Sequence, residues 1–371
     1  MSNTPSTLVT GASRGIGKAT ARDRSSYLTG SGRLQARGRS RLLVKAVMAL
    51  ITLTAMAAAM FAVPATSHAA PASTKLVWIP RAGYRIAAFV HPGRGPAIVL
   101  CHGFPDNHHL YDSVVPLLTG REVVTFDFLG WGQSSKPAHY DYTFAGQEQD
   151  LNAVIQGLHL GKVVLVAHDA SVPAVLNWAL DHPSETASII LSNGFYGPVA
   201  GSGPPALATI FALGQYPNAA PLGPLPPGTA YGLNSLMNGL SHDPRFLGYL
   251  LSWQESTFFT NPSTARKFAP LFTQQFLAKP STLGPLRSLA GNLFSAVAGY
   301  DAARVASLKS LTMPVHIIWG AKDPNLGLNV ADALHLEIPN STLTVFPNAH
   351  HNLMLDDPAQ FAAAIRSAAT G

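Results

Sequence analysis

Residues 162–173, Lys-Val-Val-Leu-Val-Ala-His-Asp-Ala-Ser-Val-Pro, restrict the fold more than any other stretch of the chain. A valine-rich apolar run with no polar alternation reads as a strand buried on both faces, as in a parallel sheet. The spacing from Val172 to Leu180 is helical. Between strand and helix lies small-x-Asp-x-small: Ala167, His168, Asp169, Ala170, Ser171. A turn sharp enough to push one side chain into the open needs small neighbours two residues away on either side, and here the presented side chain is the carboxylate of Asp169. A parallel sheet in turn demands crossover helices, so the rest of the chain must alternate strand and helix.

It does. Strands are predicted at Thr74–Ile79, Tyr84–Val90, Ala97–Cys101, Glu122–Phe126, Lys162–Ala167, Thr186–Ser192, Pro314–Trp319 and Thr342–Phe346. Helices are predicted at Tyr111–Leu118, Phe144–Leu158, Val172–Leu180 and after Asp357-Pro358. From Phe195 to about Tyr300 the texture changes. Proline and glycine cluster, as in Pro221–Gly228, and apolar helical pieces carry Phe246, Tyr249, Trp253, Phe258 and Phe259 without strand alternation. That is the pattern of a helical insertion lying over a sheet, and its aromatic content suits an apolar chamber.

Composition matters mainly at the front. The pI of about 9.5 suggests a basic protein. However, residues 1–45 hold nine Lys/Arg against Asp23 alone, a net +8, while the whole chain is +6, which leaves the remainder near −2. The folded part therefore has no basic surface for nucleic acid. Residues 46–63 are uncharged and apolar, follow Arg37, Arg39, Arg41 and Lys45, and lead through Pro64 to Ser67-His68-Ala69. Residues 46–70 thus have the layout of a secretory signal peptide or, uncleaved, a membrane anchor, and the protein is expected to be exported, touching a membrane only through 46–63. With a single cysteine, Cys101, no intrachain disulfide can form. The opening Thr7-Leu-Val-Thr-Gly11-Ala-Ser-Arg-Gly15-Ile-Gly17 resembles the start of the short-chain dehydrogenase family, but no second βαβ unit and no ribose-binding acid follow, so residues 1–45 read as a leader with a fused remnant and no cofactor is expected. The fourteen histidines show no metal-ligand spacing.

Asp169, Asp323 and His351 each follow a predicted strand. The C-terminal ends of parallel strands share one edge of a sheet, so the three should meet there. The chemistry of such a trio is specific: a carboxylate attacks an electrophilic carbon, an imidazole readies water against the resulting ester, and a second carboxylate orients the imidazole. The loop His102-Gly103-Phe104-Pro105 after its own strand offers backbone N–H groups for a developing oxyanion, with Phe104 and Ala170 as donors.

From about residue 74 onward the chain resembles an α/β-hydrolase of the epoxide hydrolase and haloalkane dehalogenase branch. The resemblance rests on His102-Gly-Phe-Pro, Asp127-Phe-Leu-Gly-Trp-Gly-Gln-Ser, Ala167-His-Asp169, Trp319-Gly-Ala-Lys-Asp323, and His351 seven residues before Pro358. It implies an α/β fold with a mostly parallel eight-stranded sheet, helices on both faces and a helical cap: core at 71–195 and 301–371, cap at 196–300. It implies Asp169 as nucleophile, Asp323 as acid and His351 as base. His350 stands where the family usually has glycine, and Asn193 where some members place their acid. Haloalkane dehalogenases hold halide with residues that are Ala170 and Phe104 here, and the arginines of fluoroacetate dehalogenases are missing after Asp169. The resemblance therefore favours an epoxide and a small apolar substrate, with Tyr249 and Tyr300, among Tyr216, Tyr231, Tyr249 and Tyr300, taken as the tyrosines that would protonate the opening oxygen. The same trio could instead cleave a carbon–halogen bond or an ester, and a binding protein on a hydrolase scaffold is the non-enzymatic alternative.

Overall fold

The computed structural model describes residues 74–202 and 243–369. The chain divides into two units, 1–63 and 64–371, and every described residue belongs to the second. The leader, the apolar run 46–63, and Tyr216 and Tyr231 lie outside the described residues.

Eight strands form one sheet: β1 (Lys75–Arg81), β2 (Tyr84–His91), β3 (Arg94–Cys101), β4 (Arg121–Asp127), β5 (Val163–His168), β6 (Thr186–Ser192), β7 (Val315–Gly320) and β8 (Ser341–Phe346). Their order is β1-β2-β4-β3-β5-β6-β7-β8. β1 and β2 are antiparallel to each other, as are β2 and β4, and every other pairing is parallel. All six residues of β5 are buried, as expected of a central strand covered on both faces. β8, at the edge, alternates exposed and half-buried residues instead.

Helices α1 (Phe144–Gly157) and α2 (Val172–Asp181) follow β4 and β5. Among the described residues between β6 and β7, the longer helices are α3 (Pro244–Thr257), α4 (Pro262–Thr273) and α5 (Leu283–Ser295). Helix α6 (Leu328–Glu337) joins β7 to β8, and α7 (Pro358–Ala368) closes the chain. Starts are marked as capping chemistry requires. Thr143 accepts from the Gly146 N–H, and Asp357 accepts from the Gln360 N–H with Pro358 at the first helical position. Two apolar layers flank the sheet. One packs Val99, Leu165, Ile189 and Ile317 against α1, α2 and α6, and the other packs Ile98, Val164, Ile190 and Ile318 against α7 and Phe268 and Phe272 of α4.

Two local expectations need correction. Tyr111–Leu118 is not one helix but two short 3-10 turns, His108–Tyr111 and Val115–Leu117, because Pro116 cannot supply the N–H that would continue an α-helix. Helix α6 was not anticipated; it follows Gly327 with no side chain capping its start, so no punctuation announces it. Among the described residues no helix is long and apolar enough to cross a membrane.

The α3–α4 connection is tied to the loop after β8. The Asn352 N–H donates to the Phe258 carbonyl at 2.9 Å, His350 N–H to Thr260 Oγ1 at 3.2 Å, and Thr260 N–H to the Asp356 carboxylate at 2.6 Å.

Candidate active site

The site is set by the turn after β5. Asp169 has φ of +51°, in the left-handed region that side-chain-bearing residues avoid, at a cost of roughly 1–3 kcal/mol. What holds it there is Ser171. Its hydroxyl accepts from the His168 N–H at 3.0 Å and lies 2.8 Å from the His168 carbonyl and 3.0 Å from that of Cys101, so the end of β5 is fastened to the end of neighbouring β3. Gly103 makes the approach of the two loops feasible: a Cβ there would stand 2.6 Å from the Asp169 Cβ.

That approach brings the Phe104 N–H to Asp169 Oδ1 at 3.0 Å, and the Ala170 N–H also favours the charged carboxylate. The other oxygen, Oδ2, faces His351 Nε2 at 3.7 Å. His351 Nδ1 lies 2.6 Å from Asp323 Oδ2. Asp323 is itself fully engaged: its Oδ1 accepts from the N–H groups of Asn325 and Leu326, and its Oδ2 from the Asn193 amide at 2.7 Å. Asn193 further accepts from the Gly320 N–H at 2.8 Å, which locks the ends of β6 and β7 together. So the structure brings Asp169, Asp323 and His351 together at the C-terminal edge of the sheet. Asn193 orients the acid rather than standing in for it.

The charges follow from these contacts. Burial raises the Asp169 pKa, and the His351 charge and the two N–H donors pull against it. Burial also opposes ionisation of Asp323, but His351 and the Asn325 and Leu326 N–H groups outweigh it and hold that carboxyl below its usual range. For His351 burial disfavours the charged form, yet Asp323 first, then Asp169 and Asp106, push it up to about 9. At neutral pH His351 and Asp323 therefore rest as imidazolium and carboxylate.

The neighbouring histidines are structural. His102 is pushed down to about 4 by burial, and its Nε2 accepts from the Phe128 N–H at 3.2 Å, so it braces the loop as a neutral ring. His350 turns its Nδ1 to the Thr257 carbonyl at 3.0 Å, away from the trio. In the glycine loop after β4, Asp127 receives His108 and the Gln133 N–H, an internal brace rather than a phosphate cradle.

Asp169 opens onto a cavity with about 500 Å³ of space between atoms, partly open to solvent. Its walls are Phe104, Phe144, Phe195 and Phe258, with Leu289, Ala290 and Leu293 of α5. Two carboxamides, Gln254 and Asn325, also line it. Sequence reasoning missed both, and also missed the buried side chains of Asp106, Glu255 and Asn352 near the trio. The two tyrosines fare differently. Tyr300 is not in the cavity: it is 44% exposed and its hydroxyl bonds Arg304 at 2.8 Å, because the chain beyond α5 turns it outward. Tyr249 is on α3, but its side chain lies outside the described residues. Among the described residues no group of His, Cys, Asp and Glu is arranged to hold a metal ion.

Comparison with known proteins agrees with this architecture. An uncharacterized protein of Mycobacterium tuberculosis is 28% identical over 299 residues, 75% of this chain and 76% of its own length. A fluoroacetate dehalogenase of a Burkholderia species is 38% identical over 102 residues, 26% of this chain and 34% of its own. The crystal structure of the haloalkane dehalogenase DatA from Agrobacterium tumefaciens superposes with a TM-score of 0.62 at 21% identity, covering 81% of this chain and 97% of that one, a likeness of fold. The model of the alpha/beta hydrolase fold matches residues 96–358, and the chain belongs to that family of hydrolases.

Proposed function

We propose that this hydrolase works through an ester on Asp169, and that its substrate is a small apolar epoxide. The observation that carries the reading is the division of labour between the Asp169 oxygens: Oδ1 accepts the Phe104 N–H while Oδ2 is left facing His351 at the wall of an apolar cavity. Oδ2 attacks the ring carbon, the C–O bond opens, and the alkoxide takes a proton. With Tyr300 on the surface, Tyr249, Tyr216 and Tyr231 are the candidates left for that donation. Formation of the ester removes the Asp169 charge, one of the causes holding the His351 pKa high. The imidazole then releases its proton more readily and becomes the base that the second step needs. Water gives a proton to Nε2 and attacks the Asp169 carbonyl carbon. The oxyanion rests on Oδ1 against the Phe104 and Ala170 N–H groups. Its collapse breaks the bond from the carbonyl carbon to Oδ2, the departing alkoxide takes the proton held on Nε2 to complete the diol, and the new carboxyl returns its own proton to the imidazole.

The epoxide preference is supported by Phe104 and Ala170, whose apolar side chains stand where a halide grip would be. A second reading, cleavage of a carbon–halogen bond or an ester, draws support from the carboxamides of Gln254 and Asn325 and from the likeness to a fluoroacetate dehalogenase. Intact-mass analysis of His351→Ala after exposure to styrene oxide or bromohexane separates the readings. We expect a covalent adduct with the epoxide that is lost in the His351→Ala, Asp169→Asn double variant. An adduct with the halide alone would shift the assignment to dehalogenation, and no adduct with either would remove the ester mechanism.

A further inference from the structure

Close to His351 lies a set of polar side chains that the mechanism above does not use. Asp106, in the loop after β3, is 1% exposed, and Glu255, in the last turn of α3, and Asn352, next to His351, are fully buried. Their backbones place them together. Phe258, just past α3, gives its N–H to the Glu255 carbonyl at 3.1 Å, receives the Asn352 N–H on its own carbonyl, and lies against the His351 ring with centroids 4.5 Å apart and planes tilted by 44°. The Asp106 N–H bonds the Gly103 carbonyl at 3.2 Å, in the same loop that presents the Phe104 N–H to Asp169. The charge on Asp106 is felt by Asp169 and His351, and that on Glu255 by Asp106 and Asp169.

None of these groups is satisfied by the protein. Asp106 Oδ1, both Glu255 carboxyl oxygens, His351 Nε2, His168 Nε2 and the Asn352 amide atoms are buried without a well-formed hydrogen bond. The Asn352 amide lies close enough to Glu255 and His168 to bias their protonation, but not in a geometry that completes a bond to either. Buried polar atoms are otherwise almost always paired, and a water takes two to four such partners. A set of such orphaned atoms on the elements around the His351 imidazole is the lining that a buried water needs.

We propose that Glu255 is a positioning residue for the second half-reaction, holding, with Asp106 and Asn352, the attacking water against His351. The proposal rests on the aspartyl-ester reading. Burial first, and then the charges of Asp106 and Asp169, raise the Glu255 carboxyl well above its usual range; burial likewise raises Asp106 to about 7, with His351 opposing and Asp169 adding to the rise. A neutral carboxylic acid suits the task. It both donates and accepts, and it adds no charge that would hold the proton on His351.

The test separates the two half-reactions in the full chain by rapid quench and intact mass with styrene oxide and, in parallel, bromohexane. Glu255→Leu should alkylate Asp169 at the wild-type rate but lose the ester at least tenfold more slowly, so that adduct accumulates. Glu255→Gln, which keeps a donor and an acceptor, should restore most of the rate, and Asp106→Asn should slow ester loss in the same sense. Wild-type ester loss in Glu255→Leu, or equal slowing of both half-reactions, would overturn the proposal. If Glu255→Leu does not fold, Asp106→Asn decides it, and unchanged partitioning there would overturn it. Failure of the underlying reading looks different: His351→Ala would then form no adduct at all.

Discussion

The two walls around Asp169 are built on opposite terms. On the sheet side both oxygens of Asp323 are taken up by hydrogen bonds, and Asn193 and Ser171 tie adjacent strand ends together. On the insertion side, α3 brings a fully buried carboxyl with no completed bond on either oxygen, next to a second one on Asp106. One wall is a finished framework that fixes directions. The other keeps hydrogen-bonding capacity in reserve for something that is not protein, and that capacity costs stability which a purely architectural wall would not give up.

The contrast can be broken most forcefully on the sheet side. Asp323→Asn leaves shape intact but presents an amide to His351 Nδ1, and turnover should fall about ten-thousand-fold with an unchanged circular-dichroism spectrum. Near-normal turnover would mean that Asp323 does not orient the base. Gly103→Ala comes next. The new methyl would meet the Asp169 Cβ, and displacing the carboxylate by the order of an ångström should slow adduct formation about a hundredfold. A wild-type rate would show that the turn can yield.

The insertion side makes a pH prediction. Asp106 sits at about 7 in the fold against an ordinary 3.8, so the folded chain holds its proton while the unfolded chain has lost it. Its contribution to stability is therefore greatest below pH 3.8 and is lost as pH rises through about 7, with a slope of up to ~1.4 kcal/mol per pH unit. In urea titrations across that window, Asp106→Asn should lose less stability than wild type; parallel curves would show that Asp106 is ionised throughout. The smallest effect is expected from Ser171→Ala, about 1–2 kcal/mol of stability for the hydroxyl that joins β5 to β3, read as a lowered urea midpoint.

The same division decides what the sequence could reveal. Every strand was legible, because valine-rich runs between glycine and proline punctuation have no other stable reading in an alternating chain. Asp169, Asp323 and His351 were legible because each follows such a run, and parallel topology does the gathering. Tyr111–Leu118 misled because apolar spacing alone outvoted Pro116. Glu255 could not have been found: it lies well over a hundred residues from Asp106, on an ordinary amphipathic helix, and only the packing of that helix against the loop after β3 makes it more than a surface acid. Tyr300 failed for the matching reason, since nothing in its neighbourhood records which way the chain turns after α5.

The hydrogen bonds from Asn352 to Phe258, and among His350, Thr260 and Asp356, have one more implication. The segment bearing His351 is latched by its backbone to the roof of the chamber as well as to the floor, where the Lys322 N–H donates to the Ala349 carbonyl at 2.9 Å. A hinge that lifts the roof to admit a guest would have to break its bonds to Asn352, His350 and Asp356 or pull on the short loop that aims the imidazole. Entry of a guest and the direction of that ring would then be linked through one stretch of backbone.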